Sequence, residues 1–285
     1  LTELVAHLEE LNHAITGRFK QLIELNIESL KSIKPAPPFD TRPHFTARQY
    51  SELAGSILAI YAGRSPPEQV SASLHQLQGA MDEALQRLAT PLDPNLSRSV
   101  FLINNYDHIV TVLRGNAADT TAQSIGVDGQ RFNSLLDAQR VVFVESELNL
   151  HFASLVSFSH QQSSMATPSY DREGLLVDSL IRSFNATWKG DLKRISSDIM
   201  EFFPNFHLGN DILRQALGQF VNYYSHLEEA VRRISRSRDV GSSGGSNSST
   251  GSTDSSHGSM LIKTFIPLAA VTYEIKKTLS TSFSS

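Results

Sequence analysis

VFLINNYDHIVTVL, residues 100–113, decides how the chain is read. Leu102, Ile103, Tyr106, Ile109, Val110 and Leu113 recur at helical spacing, so they fall on one face and point an apolar stripe at a core. Arg114 and Gly115 follow, and a glycine just past the last periodic residue is where a helix tends to stop. The opposite face aligns Phe101, Asn104 and His108, with Asn105 and Asp107 on its flanks. Asparagine competes for its own backbone inside a helix, so two adjacent ones either have a tertiary partner or are simply tolerated. Three readings stay open for this face: a second helical layer covers it, a partner protein docks on it, or it is plain surface.

Moving toward the amino terminus, Leu4, Leu8, Leu11, Ile15, Phe19, Leu22, Ile23, Ile27 and Leu30 hold one stripe as far as Lys34. Pro35, Pro37 and Pro38 then end a helix that would be about 50 Å long at the usual rise per residue. Asp40, Arg42 and His44 stand between prolines. The turn chemistry of short polar residues accounts for them, and a binding loop is the alternative. Thr46 and Gln49 form a capping box for a helix carrying Tyr50, Leu53, Ile57, Ile60 and Tyr61 up to Gly63. Ser65-Pro66-Pro67-Glu68 opens another, whose stripe Val70, Leu74, Leu77, Met81, Leu85 and Leu88 runs until Pro91 and Pro94.

In the other direction, residues 116–129 read as a polar loop. Phe132, Leu135, Leu136, Val142, Phe143, Leu150, Leu155 and Phe158 then suggest one or two helices with a kink near Asn149, and 161–170 reads as loop. The clearest helix follows, with Val177, Leu180, Ile181, Phe184, Trp188, Leu192, Ile195, Ile199 and Phe202 in register until Pro204. Asn210 is a candidate cap for the next, where Leu213, Leu217, Phe220, Tyr224, Leu227, Val231 and Ile234 form a heptad seam. Residues 241–258 are a Gly/Ser tract that cannot bury anything and reads as a flexible linker. A last helix, Leu261, Ile262, Phe265, Ile266, Leu268, Val271 and Ile275, would kink at Pro267. No strand-like alternation of comparable length occurs, so the fold class is all-α. The expected division is 1–115 and 116–285.

Composition narrows the function. With 40% hydrophobic and 19% charged residues, the 285-residue chain has the makings of a folded core rather than disorder. A net charge of −4 gives no general attraction for nucleic acid, and the absence of cysteine removes disulfide frameworks and thiolate metal sites, which suits a reducing cytosol. Met260–Tyr273 is too short to span a membrane and is interrupted by Lys263 and Pro267. The first residues, LTELVAHLEELNHA, are acidic and helical, unlike a signal peptide, and begin mid-pattern as though cut from a longer chain.

Catalytic chemistry is sparse. The ten histidines form no HExxH and no close pair with a carboxylate at metal spacing; His226-Leu-Glu-Glu lacks a second histidine. No metal, cofactor or active site is expected. Gly241-Ser-Ser243-Gly-Gly245 fits G-x-S-x-G, but a nucleophile elbow needs a strand before and a helix after, and this one sits in the Gly/Ser tract. Trp188 lies on a core stripe and reads as buried. The asparagines of Asn95-Leu-Ser97 and Asn185-Ala-Thr187 are glycosylation sequons in form only. Arg232, Arg233, Arg236 and Arg238 cluster at a helix end, where they complement the dipole or meet anionic lipid. Ser235, after two arginines, looks like a kinase site whose phosphate would offset that charge.

Three stretches carry a family likeness: FLINNYD at 101–107, DTRPHFTARQY at 40–50 and LIRSFNATWKGDLKRISSDIMEFFPNF at 180–206. Together they resemble the carboxy-terminal half of the vacuolar-protein-sorting subunit fifty-two shared by the GARP and EARP vesicle-tethering complexes. Weaker agreement runs over 19–32, 135–157 and 213–231. The resemblance implies an elongated helical rod of stacked antiparallel bundles, similar to CATCHR tethering subunits, with no enzymatic activity. It implies a cytosolic protein, peripheral on trans-Golgi network and endosome membranes, that helps capture endosome-derived carriers in retrograde transport. Proteins of this family assemble with sister subunits through amino-terminal coiled segments and engage SNARE proteins and a Golgi Rab GTPase. A docking role would then fall to Phe101, Asn104, Asn105 and His108. The alternative is a membrane-surface module that binds anionic lipid through Arg232–Arg238.

Overall fold

A computed structural model gives the fold and describes residues 2–37, 39–61, 65–116, 127–164, 170–242 and 264–282. They form helices α1 (Thr2–Ser32), α2 (Phe45–Ile60), α3 (Glu68–Ala89), α4 (Ser97–Asn116), α5 (Val127–Ser164), α6 (Tyr170–Phe202), α7 (Phe206–Ser242) and α8 (Leu268–Ser282). No strand occurs among the described residues, and the all-α expectation holds. The helices fall into two compact units, Leu1–Phe143 and Val144–Ser285.

In the first unit α2 packs on α4, α1 runs along α3, and α3 also meets α4. The stripe read from residues 100–113 is buried as expected, with Leu102, Ile103, Tyr106 and Ile109 among the most enclosed side chains. Each such side chain contributes about 1.5–3 kcal/mol on burial. Every residue from Val100 to Tyr106 is buried, so this part of α4 is enclosed on all sides. The amino-terminal part of α5 belongs to the same core. Phe132 meets Tyr50 edge-on at 5.5 Å and Tyr106 at 5.8 Å, and Arg131 reaches Asp82 at 3.6 Å. These contacts place the division inside α5 rather than at 115/116, where loop composition suggested it.

The stripe of α1 is only partly used. Ile23 and Leu30 are buried, and Arg87 of α3 donates to the Leu30 carbonyl at 2.8 Å, whereas Leu4, Leu8, Leu11 and Ile15 are exposed.

In the second unit α6 and α7 pack on one another and α8 lies against both. Phe184, Leu192, Phe220 and Leu227 are buried as the heptad spacing requires, and Trp188 is buried with them. Phe184 stacks on Trp188 at 5.6 Å and meets Tyr224 at 4.8 Å, while Phe152 of α5 meets Phe220 at 4.7 Å. The kink in α5 falls at Phe152 (φ −130°, ψ 37°), three residues beyond the Asn149 expected, where the ring turns into this aromatic cluster. Gln130–Gln162 of α5 is long and apolar enough to cross a membrane by length and composition. Its apolar face, including Phe132, Phe143, Leu148 and Leu155, is instead core.

Several helix ends differ from the sequence reading. α2 is capped by His44, whose Nδ1 accepts from the Thr46 amide at 3.3 Å, so Thr46 already lies in the first turn and makes no capping box. α3 opens after Pro67 without a side-chain cap. α7 begins at Phe206 and its cap is Asn205, whose Oδ1 accepts from the His207 amide at 3.1 Å; Asn210 is inside the helix and buried. Pro267 does not kink a helix but starts one, its carbonyl accepting from the Ala270 and Val271 amides, where a proline's missing N–H costs nothing. α5 begins inside the expected loop 116–129 and continues through 164. Leu261, Ile262 and residues 243–258 of the Gly/Ser tract, Ser243 included, lie outside the described residues.

Candidate functional site

The two most distinctive strings of the first unit meet one another. Asn104 Nδ2 donates to the Thr41 carbonyl at 2.9 Å, and Asn105 Oδ1 accepts from the His44 amide at 2.8 Å. Asn105 Nδ2 donates in turn to the Phe101 carbonyl one turn back at 2.8 Å. The strap of residues 39–44 is irregular backbone, and its polar groups lack the partners a helix would supply. A primary amide offers both donor and acceptor, which is what such backbone needs when it is buried. The strap is itself tied off by Asp40, whose carboxylate pairs with the Arg42 guanidinium at 2.6 Å and accepts from the Arg42 amide at 3.1 Å. That guanidinium holds the Asp40 carboxyl below its ordinary range.

These contacts settle which covering the helix face has. Phe101, Asn104 and Asn105 are 4%, 5% and 0% exposed, so the face proposed for docking is enclosed by the chain's own strap and helices. They are corrected from partner-binding to internal residues, because amides already bonded inside a core present nothing to a second protein. His108 is half-buried beside Arg48, Asp107 and Glu52; burial, then the Arg48 charge, lowers its pKa against the pull of the two carboxylates. Nearby, Tyr106 donates to Asp82 at 2.6 Å and accepts from Gln86 at 3.0 Å.

In the second unit the expectation that no histidine joins carboxylates at metal spacing is overturned. Glu147 and His151 stand four apart on α5, hence on one face, and Asp198 of α6 joins them. His151 Nε2 lies 3.2 Å from Glu147 Oε1 and 3.3 Å from Asp198 Oδ2. The Glu147 side chain is fully buried, and neither of its oxygens makes a hydrogen bond among the described residues. Burial pushes its pKa up to about 7, opposed by His151 and assisted by the Asp198 charge. The signal was a Glu-x-x-x-His spacing, legible only once both residues are placed on a single helix and a third arrives from another.

Arg232 and Arg233 of the arginine cluster are engaged within their own unit. Arg232 pairs with Glu228 at 3.2 Å, Arg233 donates to Gln162 Oε1 of α5 at 2.7 Å, and the Ser235 hydroxyl donates to the Val231 carbonyl at 2.8 Å. Arg236 is exposed, and the Arg238 side chain lies outside the described residues. Ser159 Oγ and His226 Nδ1 are 2.6 Å apart, a nucleophile–base pairing in type, but Ser159 is buried and offers a substrate no approach.

Comparison with known proteins identifies relatives of this chain. The family model described as Vps52, C-terminal, matches residues 3–138, close to the span of the first unit. The vacuolar protein sorting-associated protein 52 homolog of Homo sapiens is 32% identical over 229 residues, 78% of this chain and 31% of that protein. Vacuolar protein sorting-associated protein 52 A of Arabidopsis thaliana is 27% identical over 279 residues, 96% of this chain and 36% of that protein. The Caenorhabditis elegans homolog is 28% identical over 208 residues. The chain thus spans roughly a third of the length of these relatives. No solved structure matches. An all-α chain whose DTRPH strap is bound by its FLINNYD helix, and whose likeness to these proteins runs through both units, belongs to the Vps52 family, in the region of its C-terminal part.

Proposed function

We propose that this chain is the carboxy-terminal part of a non-enzymatic vesicle-tethering subunit in retrograde transport from endosomes to the trans-Golgi network, as the GARP and EARP resemblance implies. Its place would be peripheral on those membranes, joined to sister subunits and engaging a Golgi Rab GTPase or SNARE proteins. Beyond family membership, the observation that carries the reading is on α1. Leu4, Leu8, Leu11, Ile15, Leu22 and Leu25 are between 46% and 66% exposed and follow a heptad, alternating steps of three and four with only Arg18 interrupting. An a/d seam broken only at Arg18 and facing away from its own bundle is suited to another helix, and a coiled segment of a sister subunit is the occupant proposed for it.

Co-expression with the sister subunits tests this. The native chain should co-purify with them, and Leu8→Asp with Ile15→Asp should abolish that while leaving helicity and melting temperature unchanged, since neither residue is in the core. Assembly that survives the double change would remove α1 as the assembly surface. Partner choice is read separately, by capture on nucleotide-locked Golgi Rab proteins and isolated SNARE domains. The second reading, anionic lipid binding through Arg232–Arg238, is weakened by the bonds Arg232 and Arg233 already make. It predicts sedimentation with anionic vesicles that falls as salt rises.

A further inference from the structure

We propose that Glu147, His151 and Asp198 form a binding site for a divalent transition metal, Zn2+ first among them, which ties α5 to α6. The three side chains place one donor atom each within 4.8 Å of one another. Ligand atoms about 2.0–2.1 Å from a tetrahedral metal lie about 3.3 Å apart. The two separations from His151 Nε2, 3.2 and 3.3 Å, are edges of that size.

The polar chemistry of the cluster points the same way. Both Glu147 oxygens and His151 Nε2 are buried and make no hydrogen bond among the described residues, although Nε2 is close to both carboxylates. At most one ring N–H faces the two carboxylates, and shared between them it would satisfy neither fully and leave the second Glu147 oxygen unpaired, so the protein's own groups leave the cluster incomplete. A fully buried carboxylate beside a second carboxylate is costly without a cation. A doubly charged ion bound by one oxygen of each carboxylate and one neutral imidazole gives a charge-balanced centre and supplies the partner that the buried Glu147 carboxylate and His151 Nε2 lack. The imidazole selects Zn2+, Co2+ or Ni2+ over Mg2+ and Ca2+, which prefer all-oxygen shells. The position has a structural use, because Phe152, where α5 leaves helical geometry, directly follows His151. A metal held from α5 and α6 would brace that kink.

The test uses the whole chain, stripped with chelator and titrated with Zn2+ by calorimetry, with melting temperature followed in parallel. One equivalent should bind, and the melting temperature should rise with Zn2+ concentration as mass action requires. Co2+ should bind in its place and give the visible absorption of a low-symmetry four- or five-coordinate site. Glu147→Gln and Asp198→Asn should each weaken binding at least tenfold and remove the metal-dependent shift. If Glu147→Gln does not fold, the partly exposed Asp198→Asn carries the comparison alone. No response of the native chain to Zn2+, or an equal response in Asp198→Asn, overturns the proposal.

Discussion

Asn105 shows how one side chain fixes a connection that no helix pattern contains. It is fully buried and spends both ends of its amide, one on its own helix and one on the His44 amide. Asn105→Ala leaves the His44 amide without its acceptor and should cost about 1–3 kcal/mol, read from urea unfolding. Arg42→Ala, by contrast, removes an exposed pair from the same strap and should change stability by less than about 1 kcal/mol. The histidines of this region set a pH dependence. His44 and His108 both have pKa values lowered from 6.5, chiefly by burial; Asp40 opposes this at His44, and Arg48 adds to it at His108 against Asp107 and Glu52. The unfolded chain therefore binds protons more readily. The stability tied to these two rings is fully present above pH 6.5 and is lost as pH falls toward their folded values. Melting temperature should drop on acidification between about pH 7 and pH 5, and less steeply in His108→Gln. A slope unchanged by that substitution removes His108 from the account. Sequence alone shows that two adjacent asparagines need a reason. It does not show the reason, since Thr41 and His44 lie 63 and 61 residues away along the chain and no local period connects them.

At the scale of elements, legibility follows the number of residues that carry a signal. The seam of α7 is stated seven times over by Leu213, Leu217, Phe220, Tyr224, Leu227, Val231 and Ile234, and all seven are buried. Leu227→Ala should then cost about 2–5 kcal/mol, and a variant as stable as the parent would contradict the packing described. Helix starts are stated once each. Thr46 and Asn210 have good capping chemistry, yet His44 and Asn205 hold those places, because the chain path fixes where the first free amides point and several nearby residues could serve them. The kink of α5, expected near Asn149, lies at Phe152, whose ring meets Phe220. The Glu147–His151–Asp198 cluster was missed because two of its members sit on α5 and the third arrives from α6, so its meaning is tertiary.

Among the described residues, α4 is enclosed on all sides over 100–106, whereas the first half of α1 leaves its apolar seam outward. Both read alike in sequence, as stripes at helical spacing, because periodicity tells which residues share a face and not whether a neighbour exists to cover it. The difference has a measurable consequence in amide exchange. Residues 100–106 should be among the slowest to exchange, since their amides open only with loss of the surrounding core. The first half of α1 should exchange fast, because among the described residues its hydrogen bonds are shielded by few buried contacts, while the region around Ile23 and Leu30 should be protected. Adding the sister subunits' coiled segments should slow exchange over residues 2–18 and leave 100–106 unchanged. Slow exchange of that first half in the isolated chain would mean that its seam is already occupied, by a second copy or by chain outside the described residues, and would remove the surface on which the assembly reading rests.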